Sequence, residues 1–325
     1  MKILITGAAG FVGFHCSMRL LDAGHEIVGL DNLNDYYDVR LKMSRLEVLE
    51  KKRRFAFKRV DLADRQAMNE IFDSNEFDAV LHLGAQAGVR YSIENPFAYI
   101  DSNITGTLTV LEGCRHHNVR HLVYASSSSV YGANTKQPFA TSDRVDSPVS
   151  LYAATKKSDE LMCQTYAHLY RIPITGLRFF TVYGPYGRPD MAYFKFANSI
   201  MAGNPIDVYN HGKMERDFTY IDDIVDGIFS IVTTPPLAAS DETPHRVYNL
   251  GNNKPEQLLS LIELLETSLG RQAAKNFLPM QPGDVLSTFA DIGPASADYG
   301  FAPKTSLAKG LAEFAEWYKP FYGHA

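Results

Sequence analysis

The sequence predicts an α/β protein built on a doubly wound parallel sheet, and three observations predict it. Short apolar runs alternate with longer segments of helical periodicity through the first half of the chain, the pattern of βαβ units. Thr6-Gly7-Ala8-Ala9-Gly10-Phe11-Val12-Gly13 sits between the first run and the first helix. After Phe180 the alternation loosens, and Pro, Gly, Tyr and Asp crowd Tyr183 to Asp190, as in loops that carry function. Together these define a Rossmann-type sheet over residues 1–180 and a smaller C-terminal α/β substrate domain over 181–325. Domains of about 150 residues agree with roughly two in a chain of 325.

The elements follow in order. Lys2 to Thr6 is an apolar strand, and Phe11 to Ala23 a helix closed by Gly24. Glu26 to Leu30 is the second strand. Asn34 to Asp38 then interrupt the rhythm before a charged helix ending in Lys51-Lys52-Arg53-Arg54. That basic run reads as a solvated helix end, where cations suit the dipole, rather than as a nucleic-acid contact. Strands follow at Phe55–Val60, Ala79–Leu83, His121–Ala125 and Ile174–Phe179, with helices near Arg65–Asp73, Phe97–His116 and Tyr152–Tyr170 between them. Crossovers in such a sheet are right-handed. Val247 to Leu250 reads as a strand able to rejoin the first sheet, so part of 222–252 is expected to return to it.

Composition narrows the function classes. A net charge of −5 gives no global reason to bind nucleic acid or an anionic membrane. Cys16, Cys114 and Cys163 lie in apolar helical stretches and read as reduced, buried thiols of a cytoplasmic protein. Lys2 to Ile5 reads as strand rather than signal peptide, no membrane span is expected, and the sequon Asn103-Ile104-Thr105 then carries no meaning. His82, His116, His117 and His121 lack metal-ligand spacing, so no metal is expected. No Gly-x-Ser-x-Gly elbow points to a hydrolase.

The glycines have a physical task. Gly7, Gly10 and Gly13 let the chain turn tightly and let its backbone, with Phe11 and Val12, approach a pyrophosphate at a helix N-terminus. Asp31-Asn32 ends the second strand, where a carboxylate accepts hydrogen bonds from the adenosine ribose and repels a 2′-phosphate; this favours NAD over NADP. Asp61-Leu62, past the third strand, is placed either for the adenine or as a helix N-cap.

Tyr152-Ala153-Ala154-Thr155-Lys156 puts a tyrosine and a lysine on one helix face. A free phenol, with a pKa of about 10, is a poor base at neutral pH. A lysine ammonium and a positively charged nicotinamide favour the phenolate, which then takes a hydroxyl proton as hydride leaves the same carbon. Ser126-Ser127-Ser128-Ser129 ends the fifth strand, where ligands of doubly wound sheets lie.

With these three landmarks in order and spacing, the chain resembles the extended short-chain dehydrogenase/reductases that act on nucleotide sugars, over nearly its whole length. The resemblance implies bound NAD, with Ser127 and Tyr152 bracketing the sugar C4 hydroxyl and Lys156 also holding the nicotinamide ribose. Asn103 matches a position that supports the site. Ser128-Ser129 stands where the family's 4,6-dehydratases carry an Asp-Glu pair and its decarboxylases a Glu. Gln86 to Ser92, Arg178 to Pro185 and Gly187 to Ala192 are similar to stretches of the UDP-glucuronate 4-epimerase branch, and galactose-type 4-epimerases carry Asn where Thr181 stands.

The implied chemistry explains the hydroxyls. Oxidation at C4 of a uronic acid gives a β-keto acid, which loses CO2 when its carboxylate turns perpendicular to the ketone. Ser127, Ser128 and Thr181 are the expected donors that hold it. Arg90, Arg188 and Arg216 are the expected counter-charges to the UDP diphosphate. Phe194-Lys195 and Val208-Tyr209 are candidates for the uracil pocket, and Gln281 replaces the Arg that galactose-type relatives carry before Pro282-Gly283-Asp284. The competing readings are a 4-epimerase of neutral or N-acetylated UDP-sugars, a UDP-glucuronate decarboxylase, and an NAD-sensing regulator. A homodimer is implied, with the Phe97–His116 and Tyr152–Tyr170 helices forming a four-helix contact.

Overall fold

Residue alternation along the first strand explains the layers. Ile3 and Ile5 point into one apolar core and Leu4 into another, so the sheet is buried on both faces. A computed structural model describes residues 1–236, 241–280 and 286–324.

The chain begins β1 (Lys2–Thr6), α1 (Phe11–Asp22), β2 (Glu26–Asp31), α2 (Val39–Glu50), β3 (Phe55–Arg59), α3 (Arg65–Asp73) and β4 (Ala79–His82). Short helices α4 (Tyr91–Glu94) and α5 (Pro96–Tyr99), a π turn at Ile100–Thr105 and α6 (Gly106–His116) lead into β5 (His121–Ser127). Then come α7 (Leu151–Tyr170), β6 (Ile174–Phe179), β7 (Thr181–Tyr183), α8 (Ala192–Ala202), β8 (Ile206–Val208) and β9 (Glu215–Tyr220). The rest is α9 (Ile221–Thr233), β10 (His245–Leu250), β11 (Pro255–Gln257), α10 (Leu258–Leu269), β12 (Lys275–Phe277), α11 (Gly293–Tyr299) and α12 (Leu307–Phe321).

Seven strands form one parallel sheet in the order β3-β2-β1-β4-β5-β6-β10. The order reverses between β1 and β4, and ligands of such sheets bind outside the strand ends at that switch point. His245 to Leu250 lies alongside Ile174 to Phe179 at the sheet edge. Two small sheets, β11-β9-β7 and β12-β8, come from the C-terminal half. One apolar core runs from Ile3 through Phe194 and Ile228 to Tyr318, so both halves share it; the other face packs Met68, Phe72, Val110 and Cys163 against the sheet.

The helix expected over Phe97–His116 is interrupted. Asn103 is fully buried in the π turn and bonds Gln86 and Thr155, and a π turn re-aims side chains relative to an unbroken helix. The helix after β3 is capped by Asp64, whose side chain accepts from Ala67 N at 3.1 Å, so Asp61 is not its N-cap. Cys16, Cys114 and Cys163 are free and buried, and burial pushes their thiol pKa values up. Among the described residues no helix is long and apolar enough to cross a membrane.

Candidate active site

A cleft of about 840 Å³ opens at the C-terminal ends of the parallel strands. The glycine turn forms one wall. Gly10 caps α1 without a side chain, and a Cβ on Gly13 would lie 2.1 Å from the Gly7 carbonyl. Gly7 itself adopts φ +70° and packs against Gly84. This backbone cradle tolerates no side chain and presents the first amides of α1 to the cleft, as a pyrophosphate requires. The residues present therefore fit a dinucleotide, and Phe11 and Val12 line the same wall.

Asp31 closes one end of the cleft. Its Oδ1 accepts from Leu33 N at 2.8 Å, and Lys42 Nζ stands 3.7 Å away. Burial lowers the Lys42 pKa, against the pull of Asp31. Asn32 Nδ2 donates to Asp61 Oδ2 at 2.9 Å, and Leu62 completes this wall. Lys42 was not distinguished in sequence from the other cations of its helix; its place beside Asp31 sets it apart, since Arg45 is buried as well.

The opposite end gathers the predicted chemistry. Ser127 and Ser128 at the end of β5, Tyr152 and Lys156 on α7, and Thr181 on β7 all line the cleft. Ser150 starts α7 by accepting from Ala153 N, which sets Tyr152 in the first turn and Lys156 one turn on. The Tyr152 ring meets Tyr99 edge-on at 6.1 Å. Ser127 Oγ accepts from Ser129 N at 3.1 Å and donates to Ser129 Oγ. Lys156 Nζ donates to the Ala125 carbonyl and to Asp159 Oδ2, each at 3.0 Å. Burial opposes its charge, but Asp159 and then Tyr152 outweigh burial and raise its pKa.

Ser126 has a different task. Its hydroxyl donates to Glu160 at 2.7 Å, and Arg178 pairs with the same carboxylate at 2.8 and 2.9 Å. Arg178 continues to Tyr131, whose hydroxyl donates to Asn249 on β10. This buried frame supports the serine turn; the sequence named Arg178 only as part of a motif and missed Glu160 and Asn249.

Arg188 lines the same cleft. It grips Asp190 with two bonds, at 3.0 and 2.6 Å, and Tyr36 donates to the same carboxylate. The fields of Asp190, Tyr152 and Tyr36 oppose burial and raise its pKa, and Tyr36, Tyr91 and Tyr99 link Asp190 ring by ring to Tyr152. Arg90, Arg216 and Tyr209 line the cleft, with Arg90 5.7 Å over the Tyr209 ring. Phe194 and Val208 are fully buried core residues and leave the uracil candidates; Lys195 and Tyr209 line the cleft. Gln281 to Asp284 lie outside the described residues.

His82 is no ligand. It bonds Thr6 at 2.7 Å and Thr107 at 3.1 Å, and burial, then Lys156, lowers its pKa to about 3. Among the described residues no group of three or more His, Cys, Asp or Glu side chains is placed to hold a metal.

Glycine cradle, strand-end serines and Tyr-x-x-x-Lys helix define a dinucleotide-dependent enzyme acting on a hydroxyl-bearing substrate. The family model described as "NAD dependent epimerase/dehydratase family" matches residues 3–251, and the chain belongs to that family. It is 48% identical to the probable UDP-glucuronate 4-epimerase of Rhizobium meliloti over 100% of this chain and 99% of that protein. Protein CapI of Staphylococcus aureus is 51% identical, with 99% of each chain covered. The crystal structure of UDP-glucuronic acid 4-epimerase from Bacillus cereus in complex with UDP-glucuronic acid and NAD is similar in fold, with TM-score 0.89 and 36% identity over 99% of this chain and 100% of that one.

Proposed function

We propose that the protein interconverts UDP-glucuronate and UDP-galacturonate by inversion at C4. The observation that carries the reading is the meeting of Tyr152, Ser127, Ser128, Thr181 and Arg188 at one end of the cleft, with hydroxyls rather than carboxylates following β5. The full-length likeness to UDP-glucuronate 4-epimerases supports the substrate.

Tyr152 takes the O4 proton, and Ser127 hydrogen-bonds the same oxygen. NAD, held by the glycine turn and Lys156, would supply the acceptor for the C4 hydride and its later donor. The 4-keto sugar turns in the cleft and presents its other face, and Tyr152 returns the proton. Ser128 and Thr181 hold the C6 carboxylate, and Arg188, placed near Tyr152, supplies a cation at that end. Asp190 holds the guanidinium in its plane, so Arg188 keeps one orientation while the sugar turns. Arg90 and Arg216 serve the diphosphate, and Tyr209 the base.

The test is incubation of the purified protein with UDP-glucuronate, without added cofactor, and separation of the products. The expected result is an equilibrium mixture with UDP-galacturonate. Turnover of UDP-glucose with none of UDP-glucuronate sinks the reading, and release of CO2 with a UDP-pentose replaces it by decarboxylation.

The protein acts as a homodimer in a reducing, cytoplasmic setting. Phe97, Ile100 and Leu161, on the α5–α6 run and α7, are 77%, 41% and 56% exposed, which is costly for isolated subunits in water. Light scattering of the wild type is expected to give a dimer and of Phe97→Asp a monomer; a monomeric wild type removes the proposal.

A further inference from the structure

One charged group beside the site has no part in the chemistry above. Asp159 lies one turn past Lys156 on α7, and the two side chains are 1% and 3% exposed. Its Oδ2 accepts from the ammonium at 3.0 Å. Its Oδ1 is buried beside Thr107, with no hydrogen bond of good geometry among the described residues. A buried ion pair is weak support for stability, because desolvating both charges offsets their attraction, and an unmet carboxylate oxygen weakens the case further. A purely structural account of Asp159 is therefore poor.

The neighbours show which charge acts on Lys156. On α7, Glu160 is already matched by Arg178 of β6. Cys163 on α7, Cys114 on α6 and Tyr124 on β5 face the same space, and burial pushes their pKa values up, so they stay neutral. His82 on β4 is neutral as well. Tyr152, one turn before Lys156 on α7, lines the cleft with it. Burial raises the Asp159 pKa against the pull of Lys156, and its 3.0 Å bond to the ammonium makes it the standing counter-charge when Tyr152 is protonated.

We propose that Asp159 is a positioning residue for the reaction: its carboxylate anchors Lys156 beside Tyr152 and keeps the ammonium charged throughout the pH range in which the enzyme works. With Ala125 it takes two of the three ammonium hydrogens, which leaves the third for the cleft. The inference rests on Tyr152 as the base.

The test compares kcat/KM against pH for wild type and Asp159→Asn, with UDP-glucuronate and the holoenzyme. Loss of a negative charge favours deprotonation of every neighbouring group. Both limbs of the profile are expected to move to lower pH, the alkaline limb by about one pH unit or more. A merely structural role lowers activity evenly and moves neither limb. Coincident profiles, or a shift to higher pH, overturn the proposal. A second reading needs no variant at 159: in 15N-lysine NMR of the wild-type holoenzyme the Lys156 ammonium must stay charged to about pH 10, and neutralisation below that overturns it. Tyr152→Phe separates the two claims. If that variant keeps its activity, the base assignment falls; if it is inactive while Asp159→Asn keeps the wild-type limbs, only the present inference falls.

Discussion

Ser127 and Ser128 are neighbours in sequence with different tasks. The Ser127 hydroxyl is tied to Ser129, so its direction is set before any ligand arrives. Ser128 starts the 3-10 turn that follows β5 and faces the cleft. A hydrogen bond to a charged group contributes about 1.5–3 kcal/mol, so its loss loosens the C6 carboxylate without emptying the site. Ser128→Ala is expected to raise the decarboxylated fraction of product several-fold, read as UDP-pentose against UDP-galacturonate. Unchanged partitioning removes Ser128 from the anchoring set. At this scale Tyr152, Lys156 and Ser127 were legible because a spacing of four in a helix and the end of a strand are local facts. The surroundings of Arg188 were not legible for the opposite reason. A guanidinium in a loop carries no local sign of which end of a cleft it faces, and Asp190 and Tyr36 decide that in space.

Among the elements, the turn between β1 and α1 was the most legible, since its three glycines follow a strand and open a helix. In Gly13→Ala the new methyl meets the Gly7 carbonyl, so the turn must open. Loss of most bound NAD on purification is expected, and wild-type cofactor content would contradict the cradle. The π turn was not legible. Its apolar spacing resembles that of an unbroken helix, and the bonds of Asn103 to Gln86 and Thr155 span 17 and 52 residues. Nor were Phe194 and Val208 legible as core. An aromatic next to Lys195 can face either way, and the packing of Phe194 on Phe314 settles it.

For the whole molecule, the frame Ser126–Glu160–Arg178–Tyr131–Asn249 joins β5, α7, β6 and β10 behind the site. Burial raises the Glu160 pKa, but Arg178, with Ser126, outweighs burial and leaves it lowered. A carboxylate so depressed contributes stability above its unfolded pKa, and that contribution is lost as pH falls through the folded value. Glu160→Gln leaves the Arg178 charge unpaired and is expected to cost about 3–5 kcal/mol at pH 7. The deficit relative to wild type should narrow as the solution is acidified below the usual carboxylate range. Denaturant unfolding at pH 7 and in acid checks both parts; a deficit independent of pH argues against an ionised pair.

By itself the sequence determined the alternation of strands and helices, the glycine cradle, Asp31 at a strand end and the tyrosine–lysine pair. Each is set by periodicity or spacing within a few residues, where backbone geometry leaves little choice. Only the tertiary structure decided that Lys42 stands beside Asp31, that Tyr36 meets the Arg188–Asp190 pair, that Glu160 and Asn249 brace the serine turn, and that Lys156 meets Asp159 in the interior. Those are facts of burial and of contact between distant elements. The worth of a charge depends on how much water it has lost and on which opposite charge replaced that water, and neither is written in the residues next to it.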